Sequence, residues 1–421
     1  MLFWSVISAA FIGPGTVTTC AKAGANFGTA LIWALVFSTF ACVVLQEAAT
    51  RVTAATGNDL GRALRNRFPG VAGHAVTGLV LGAIVAGCAA YQAGNILGAV
   101  AGAQLLQRAP NLLWVGAIGL PAALLLAFAA TGTVARILGG VVALMGLIFV
   151  VTAAGMLPEL ATLAHGALFP SVPQGSALLV LGMIGTTVVP YNLFLASALA
   201  RGRQPDEIRF GLVVAIVLGG AISIAVLLVG AGLQAEFSFD ALAEMLADRL
   251  GGWARNGFAL GLAGAGVSSA LTAPLAAALT ARGLFERSGG ADWSERSWRY
   301  RSIWGFVLLA GLGFAAAGAR PVPAIVAAQA LNGAILPIIA IFLFLVVNDV
   351  RQMGQRVNGA AANVALVVCV AVSILLGTSG VLQAGARAID ASAPQAVTVL
   401  IVAGSVLALV SWPMLRAMRR S

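Results

Sequence analysis

Uninterrupted apolar runs of roughly 20 residues recur along the whole chain, and each is long enough to cross the hydrocarbon of a bilayer as a helix. Of the 421 residues, 60% are hydrophobic and only 9% are charged. A soluble domain carries roughly a quarter charged residues, so this chain cannot cover a globular surface and its solvent is lipid. The runs are continuous rather than alternating, which excludes a transmembrane β-barrel. The expected class is an all-α polytopic membrane protein, with about twelve spans near 3–26, 30–52, 73–106, 111–130, 133–157, 176–200, 209–233, 256–280, 300–318, 323–347, 361–383 and 396–415.

The net charge of +10 would suggest a polyanion partner in a soluble protein, but here the arginines gather in the connections between spans. With the N-terminus placed inside, 18 arginines fall on the inner side and five on the outer: Arg108, Arg249, Arg255, Arg320 and Arg387. The positive-inside bias then predicts a protein of the plasma (inner) membrane with both termini cytoplasmic, partnered by lipid and not by nucleic acid. Residues 1–12 lack a basic leader and a cleavage site and read as part of the mature structure. The acidic connection 234–255 is expected to hold a short amphipathic helix. Cys20, Cys42, Cys88 and Cys369 all lie in apolar runs and read as buried thiols, while His74 and His165 form no ligand pair. No metalloenzyme motif, phosphate loop or catalytic triplet is present, so neither an enzyme nor a cofactor is expected.

Two spans are interrupted at matching places, at Gly13-Pro14-Gly15-Thr16 in the first and at Thr186-Thr187-Val188-Val189-Pro190-Tyr191-Asn192 in the sixth. Glycine and proline often do no more than kink a membrane helix. Two breaks five helices apart, however, place the halves in opposite orientations and predict a five-plus-five inverted repeat with a midplane site between discontinuous helices. The repeats would be residues 1–157 and 158–347, with two further helices in 348–421.

The run from Gly13 through Thr19, continued by Ala23-Gly24-Ala25-Asn26-Phe27-Gly28, resembles the first-helix motif of the NRAMP divalent-metal transporters. Leu45-Gln46, Thr56 to Leu60, Pro190 to Leu195, Ala265 to Thr272 and Asn348 to Gly354 match that family's later motifs in the same order. The resemblance implies a LeuT-type fold working by alternating access. It also implies that the positions binding metal in the family are Gly13, Thr16, Thr186 and Val189 here, so the family's side-chain ligands are replaced. The helix-6 histidine is Tyr191, the helix-3 acidic pair is Gln92 and Asn95, and the helix-8 glutamine is Val267.

A site without carboxylates is a poor match for Mn²⁺ or Fe²⁺, whereas two helix N-termini directed at the midplane favour negative charge. Gly15, Thr16, Thr18, Thr19, Thr186, Thr187, Tyr191 and Asn192 supply hydroxyls, amides and open backbone around the breaks, and Lys22 adds the one lysine of the chain. Lys22 reads equally as a vestibule charge or as a side chain snorkelling to the interface. From this we expect a transporter for a small inorganic anion such as bicarbonate. Sodium is then a candidate coupling ion at Ser268, Ser269 and Thr272, which are equally good small packing residues. A divalent cation carried as hydrated Mg²⁺ and a non-transporting relative are the alternatives. Glu47, one turn from Arg51, reads as an i,i+4 ion pair, and a monomer is expected.

Overall fold

The computed structural model describes residues 12–128, 131–287, 290–388 and 394–418. Their regular structure is helical: α1 (Pro14–Phe27), α2 (Ile32–Thr56), α3 (Leu60–Arg67), α4 (Gly70–Leu106), α5 (Asn111–Ala127), α6 (Thr131–Ala154), α7 (Leu160–Leu168), α8 (Ala177–Thr187), α9 (Pro190–Ala200), α10 (Pro205–Ala231), α11 (Phe239–Leu250), α12 (Gly252–Phe285), α13 (Trp298–Ala316), α14 (Pro321–Val347), α15 (Val350–Met353), α16 (Ala360–Ala388) and α17 (Ala396–Met418). Nine spans among the described residues are long and apolar enough to cross a membrane, with α8 and α9 together forming one of them. Each of the twelve expected spans has its helix, although the expected first half of the first span, up to residue 11, lies outside the described residues.

Local chemistry explains where the helices begin. Pro14, Pro190, Pro205 and Pro321 occupy first-turn positions, where a missing N–H breaks no helical hydrogen bond. Asp59 caps α3 by accepting the Arg62 N–H at 2.9 Å, and Ser238 caps the expected amphipathic helix α11 by accepting the Ala241 N–H at 3.0 Å. The connections expected between spans 2 and 3 and between spans 5 and 6 also contain helices, α3 and α7.

Packing places the broken span at the centre. The α8–α9 stretch is 94% buried, whereas α17 is 11% buried and exposes Leu400, Leu409 and Trp412 as a lipid-facing helix does. Around the centre α12 packs on α4, α14 on α8 and α10 on α1. Lipid is as apolar as leucine, so these helices gain little from hydrophobicity alone and depend on close backbone approach. Gly24 of α1 lies against the backbone of Leu227 and Ala231, and Gly230 of α10 lies reciprocally against Ala21, with no room for a Cβ at either glycine.

The carboxyl ends of α2, α12 and α14 meet at one end of the bundle. There Arg51 pairs with Glu47 at 3.0 Å, as expected, and also donates to the Arg356 carbonyl and the Asn358 side chain at 2.9 and 2.6 Å. Arg62 pairs with Glu286 at 2.7 Å and Arg67 with Asp349 at 3.1 Å, fixing α3 across this end.

Because Gly24 touches backbone, Gly24→Val forces α1 and α10 apart. It is expected to destabilise the purified protein by about 1–3 kcal/mol, read as a lower unfolding midpoint in detergent. Gly404→Val on α17, where a Cβ meets open space, is expected to leave the midpoint unchanged.

Candidate ion site at the broken helix

The break arises because Pro190 cannot donate a backbone hydrogen bond back into α8. Val188 and Val189 leave the helical conformation between α8 and α9, Val188 at φ −102° and ψ 74° and Val189 extended at φ −76° and ψ 120°. The last turn of a helix leaves carbonyls without an intrahelical partner, and here those carbonyls open at the buried centre of the bundle. The Thr187 carbonyl accepts the Cys42 thiol at 3.4 Å, and Gly185 and Thr186 belong to the same turn.

The start of α1 meets this break directly. Thr16 and Thr186 share a hydroxyl–hydroxyl hydrogen bond at 3.1 Å, and both are 1% exposed. Gly13, extended at φ −109° and ψ 176°, caps α1, and a Cβ there would lie 3.3 Å from the Ser269 hydroxyl and 3.7 Å from that of Tyr91. Tyr91 and Tyr191 stack edge to face, centroids 5.5 Å apart, with the Tyr191 hydroxyl in hydrogen-bonding reach of Thr272. Val189 is buried beside them and carries no donor or acceptor in its side chain.

A residue not singled out in the sequence lies in the same place. Gln329, from the middle of α14, is 1% exposed, and its amide touches Gly15, where a Cβ would collide with it. Neither the Gln329 oxygen nor its nitrogen has a hydrogen-bond partner among the described residues, and the Asn192 side-chain oxygen is likewise unpartnered and buried. Orphaned polar atoms at such depth cost about 1–3 kcal/mol each, so a site that retains them points to an occupant. The signal in the sequence was a lone glutamine within a 27-residue apolar helix.

Other expected residues do different work. Thr18, Thr19 and Thr187 donate to the carbonyls of Pro14, Gly15 and Met183 at 2.7, 2.8 and 2.9 Å, one turn back in their own helices. Gln92 donates to the Ala270 carbonyl at 3.0 Å and accepts from Asn95 at 3.4 Å, so this pair ties α4 to α12. Ser268, Ser269 and Thr272 are buried, with Thr272 donating to the Ser269 carbonyl at 3.1 Å. Lys22 is half-buried, six residues beyond Thr16 and so about 9 Å along α1. Among the described residues no group of three or more His, Cys, Asp or Glu side chains is placed to hold a metal.

The matched family agrees with this architecture. Residues 5–383 match the family described as natural resistance-associated macrophage protein-like (Nramp), and the chain belongs to it. Its relatives include the divalent metal cation transporter MntH of Yersinia enterocolitica, 28% identical over 289 residues, or 65% of this chain and 70% of the relative. MntH of Aeromonas hydrophila is 27% identical over 290 residues, again 65% and 70% of the two chains. A mutant of the Eremococcus coleocola manganese transporter superposes with a TM-score of 0.73 at 17% identity, covering 99% of this chain and 93% of that one. Mhp1, a nucleobase-cation-symport-1 family transporter, gives 0.56 at 15% identity, covering 100% and 96%, which places the fold in the LeuT class.

These relatives overturn the expectation of an anion such as bicarbonate, because they are transporters of divalent metal cations. The geometry supplies the physical reason. Three of the hydroxyls expected to donate to an anion, those of Thr18, Thr19 and Thr187, are instead engaged with carbonyls of their own helices.

Gly15→Ala is expected to displace the Gln329 amide and to lower the rate of ion uptake in proteoliposomes at least about tenfold, since a misplacement near 1 Å in a preorganised site is enough for more. Gly78→Ala on α4, where a Cβ meets open space, is the matched control and is expected to transport normally.

Proposed function

We propose that this protein is a secondary transporter of divalent metal cations, which pass through the break between α8 and α9 by alternating access. The observation that carries this reading is the buried, unpartnered amide of Gln329, which lies against Gly15 at the start of α1 while its backbone lies against Gly185 in the last turn of α8. Neutral oxygens suit hard cations. The kinship with divalent metal cation transporters supports the same class of substrate.

The site differs from that of a tight transition-metal binder. Gly13, Thr16 and Val189 offer neither carboxylate, amide nor thioether where the family resemblance places its metal ligands. A dication here retains part of its water shell and meets carbonyl, amide and hydroxyl oxygens through it, which is how Mg²⁺ binds at sites with few protein ligands. Moving one charge through 100 mV is worth about 2.3 kcal/mol, so an inside-negative potential draws a dication inward by about twice that. The energetic case for sodium at Ser268, Ser269 and Thr272 rested on carrying an anion uphill, and it lapses for a dication. The two repeats, 1–157 and 158–347, would supply the moving and fixed parts. The arginine-rich end would face the cytoplasm, in the plasma membrane, with both termini on that side.

The test is uptake of Mg²⁺ and Mn²⁺ into proteoliposomes under an imposed potential. Uptake is expected to rise with inside-negative potential and to fall at least about tenfold in Gln329→Ala. Absence of flux for both ions, in protein that is folded and reconstituted, would refute the proposal. Gly13→Asp provides a second measurement, since its Cβ meets only the Ser269 and Tyr91 hydroxyls within 4 Å. Adding a carboxylate there is expected to lower the KM for Mn²⁺ by about tenfold, equivalent to about 1.4 kcal/mol of binding.

A further inference from the structure

The short helix α3 lies across the end of α12, its Gly61 backbone against Gly283 and Leu284. Between α3, the first two turns of α4 and the segment following α12 is a cavity of about 870 Å³. Its lining includes Arg65, Arg287 and His74, and no carboxylate. The nearby acids face elsewhere: Glu286 pairs with Arg62, and Asp59 caps α3 and pairs with Arg201 at 3.7 Å. Arg65 donates to the carbonyls of Leu284 and Glu286, so its guanidinium is held in place at the cavity wall. Burial lowers the Arg65 pKa, and the Arg62 and Arg287 charges lower it further against a smaller opposing effect of Asp59 and Glu286.

Part of the same lining is apolar. Phe68, Leu284 and Phe285 form it, and Phe285 stacks on Trp293 with ring centroids 5.8 Å apart. Trp298, at the start of the next span, is 72% exposed, as aromatic residues at the headgroup level of a bilayer are. The cavity therefore joins cationic side chains to an apolar lining at one end of the bundle. Its volume far exceeds that of a bare phosphate.

We propose that this cavity binds the headgroup of an anionic phospholipid, with Arg65 and Arg287 on the phosphate and the Phe68–Phe285 wall against the glycerol and upper acyl chains. Basic pockets between membrane helices recognise anionic headgroups by this combination. A headgroup bridging Arg65 and Arg287 fastens α3 to the end of α12.

The test uses the full chain in neutral detergent, with phosphatidylglycerol, phosphatidylcholine or inorganic phosphate added and binding read by native mass spectrometry and by thermal unfolding. Phosphatidylglycerol is expected to be retained and to raise the unfolding midpoint, with phosphatidylcholine and phosphate doing neither. Arg65→Gln with Arg287→Gln is expected to weaken retention about 25-fold, at about fivefold per arginine near the membrane surface. Arg287→Glu alone, at an exposed position, keeps the test valid if the double variant folds poorly, and is expected to weaken retention at least about fivefold. Arg299→Gln with Arg301→Gln, outside the cavity, is expected to have no effect. Equal retention of the two lipids, equal loss in both double variants, or full stabilisation by inorganic phosphate would each overturn the lipid assignment.

Discussion

A backbone group in hydrocarbon has no water to turn to, so every N–H and C=O at membrane depth must be satisfied within the protein. An unbroken helix does this by itself. The interruption at Val188 and Val189 gives that up at the most buried place in the bundle, and the surrounding helices are arranged to tolerate it. The Cys42 thiol reaches the Thr187 carbonyl, the Thr16 and Thr186 hydroxyls join each other, and α14 brings a glutamine to the gap. Irregular backbone at such depth is tolerated where it is buried in protein or lines a cavity, and here the protein buries it.

The same economy of space governs the scaffold. Gly15 lets the Gln329 amide approach the first turn of α1, and Gly185 lets the α14 backbone approach α8. The candidate site is thus a by-product of close helix packing rather than an added pocket. Its residues are buried on every side, and the cavities at the two ends of the bundle are lined by other residues. The described conformation is closed over the break, so the proposed passage of an ion requires α1 and the α8–α9 pair to move against the scaffold.

Much of the architecture was legible in the residues. Apolar runs located the spans, Pro190 located the break, and the Ser238-led acidic stretch located α11. The sign of the substrate was not legible, for two physical reasons. The clustering of threonines at both breaks suggested donors for an anion, although helical spacing lets Thr18 and Thr19 bond to the carbonyls of Pro14 and Gly15 four residues earlier. The field was read from the N-termini of α1 and α9 alone, while the C-terminal carbonyls of α8 face the same centre with opposite sign. Gln329 escaped notice because only the fold brings α14 to the break; in the sequence it stands among residues such as Ala327, Ala328 and Ala330 with no motif around it.

The absence of a carboxylate then bears on how such a site works. Stripping a dication of water is usually compensated by negative ligands, and on the proposed reading the compensation here would come from neutral oxygens and retained water. For the dication proposed above, two helix N-termini, each equivalent to roughly half a positive charge, would oppose binding, and the α8 carbonyl end with the Gln329 oxygen would favour it. The balance is shallow binding. For a transporter that is an advantage, because an ion must be held firmly enough to enter and loosely enough to leave. A deep well at Gly13 would improve capture and slow release, so the small residue there fits a carrier driven by membrane potential rather than by affinity.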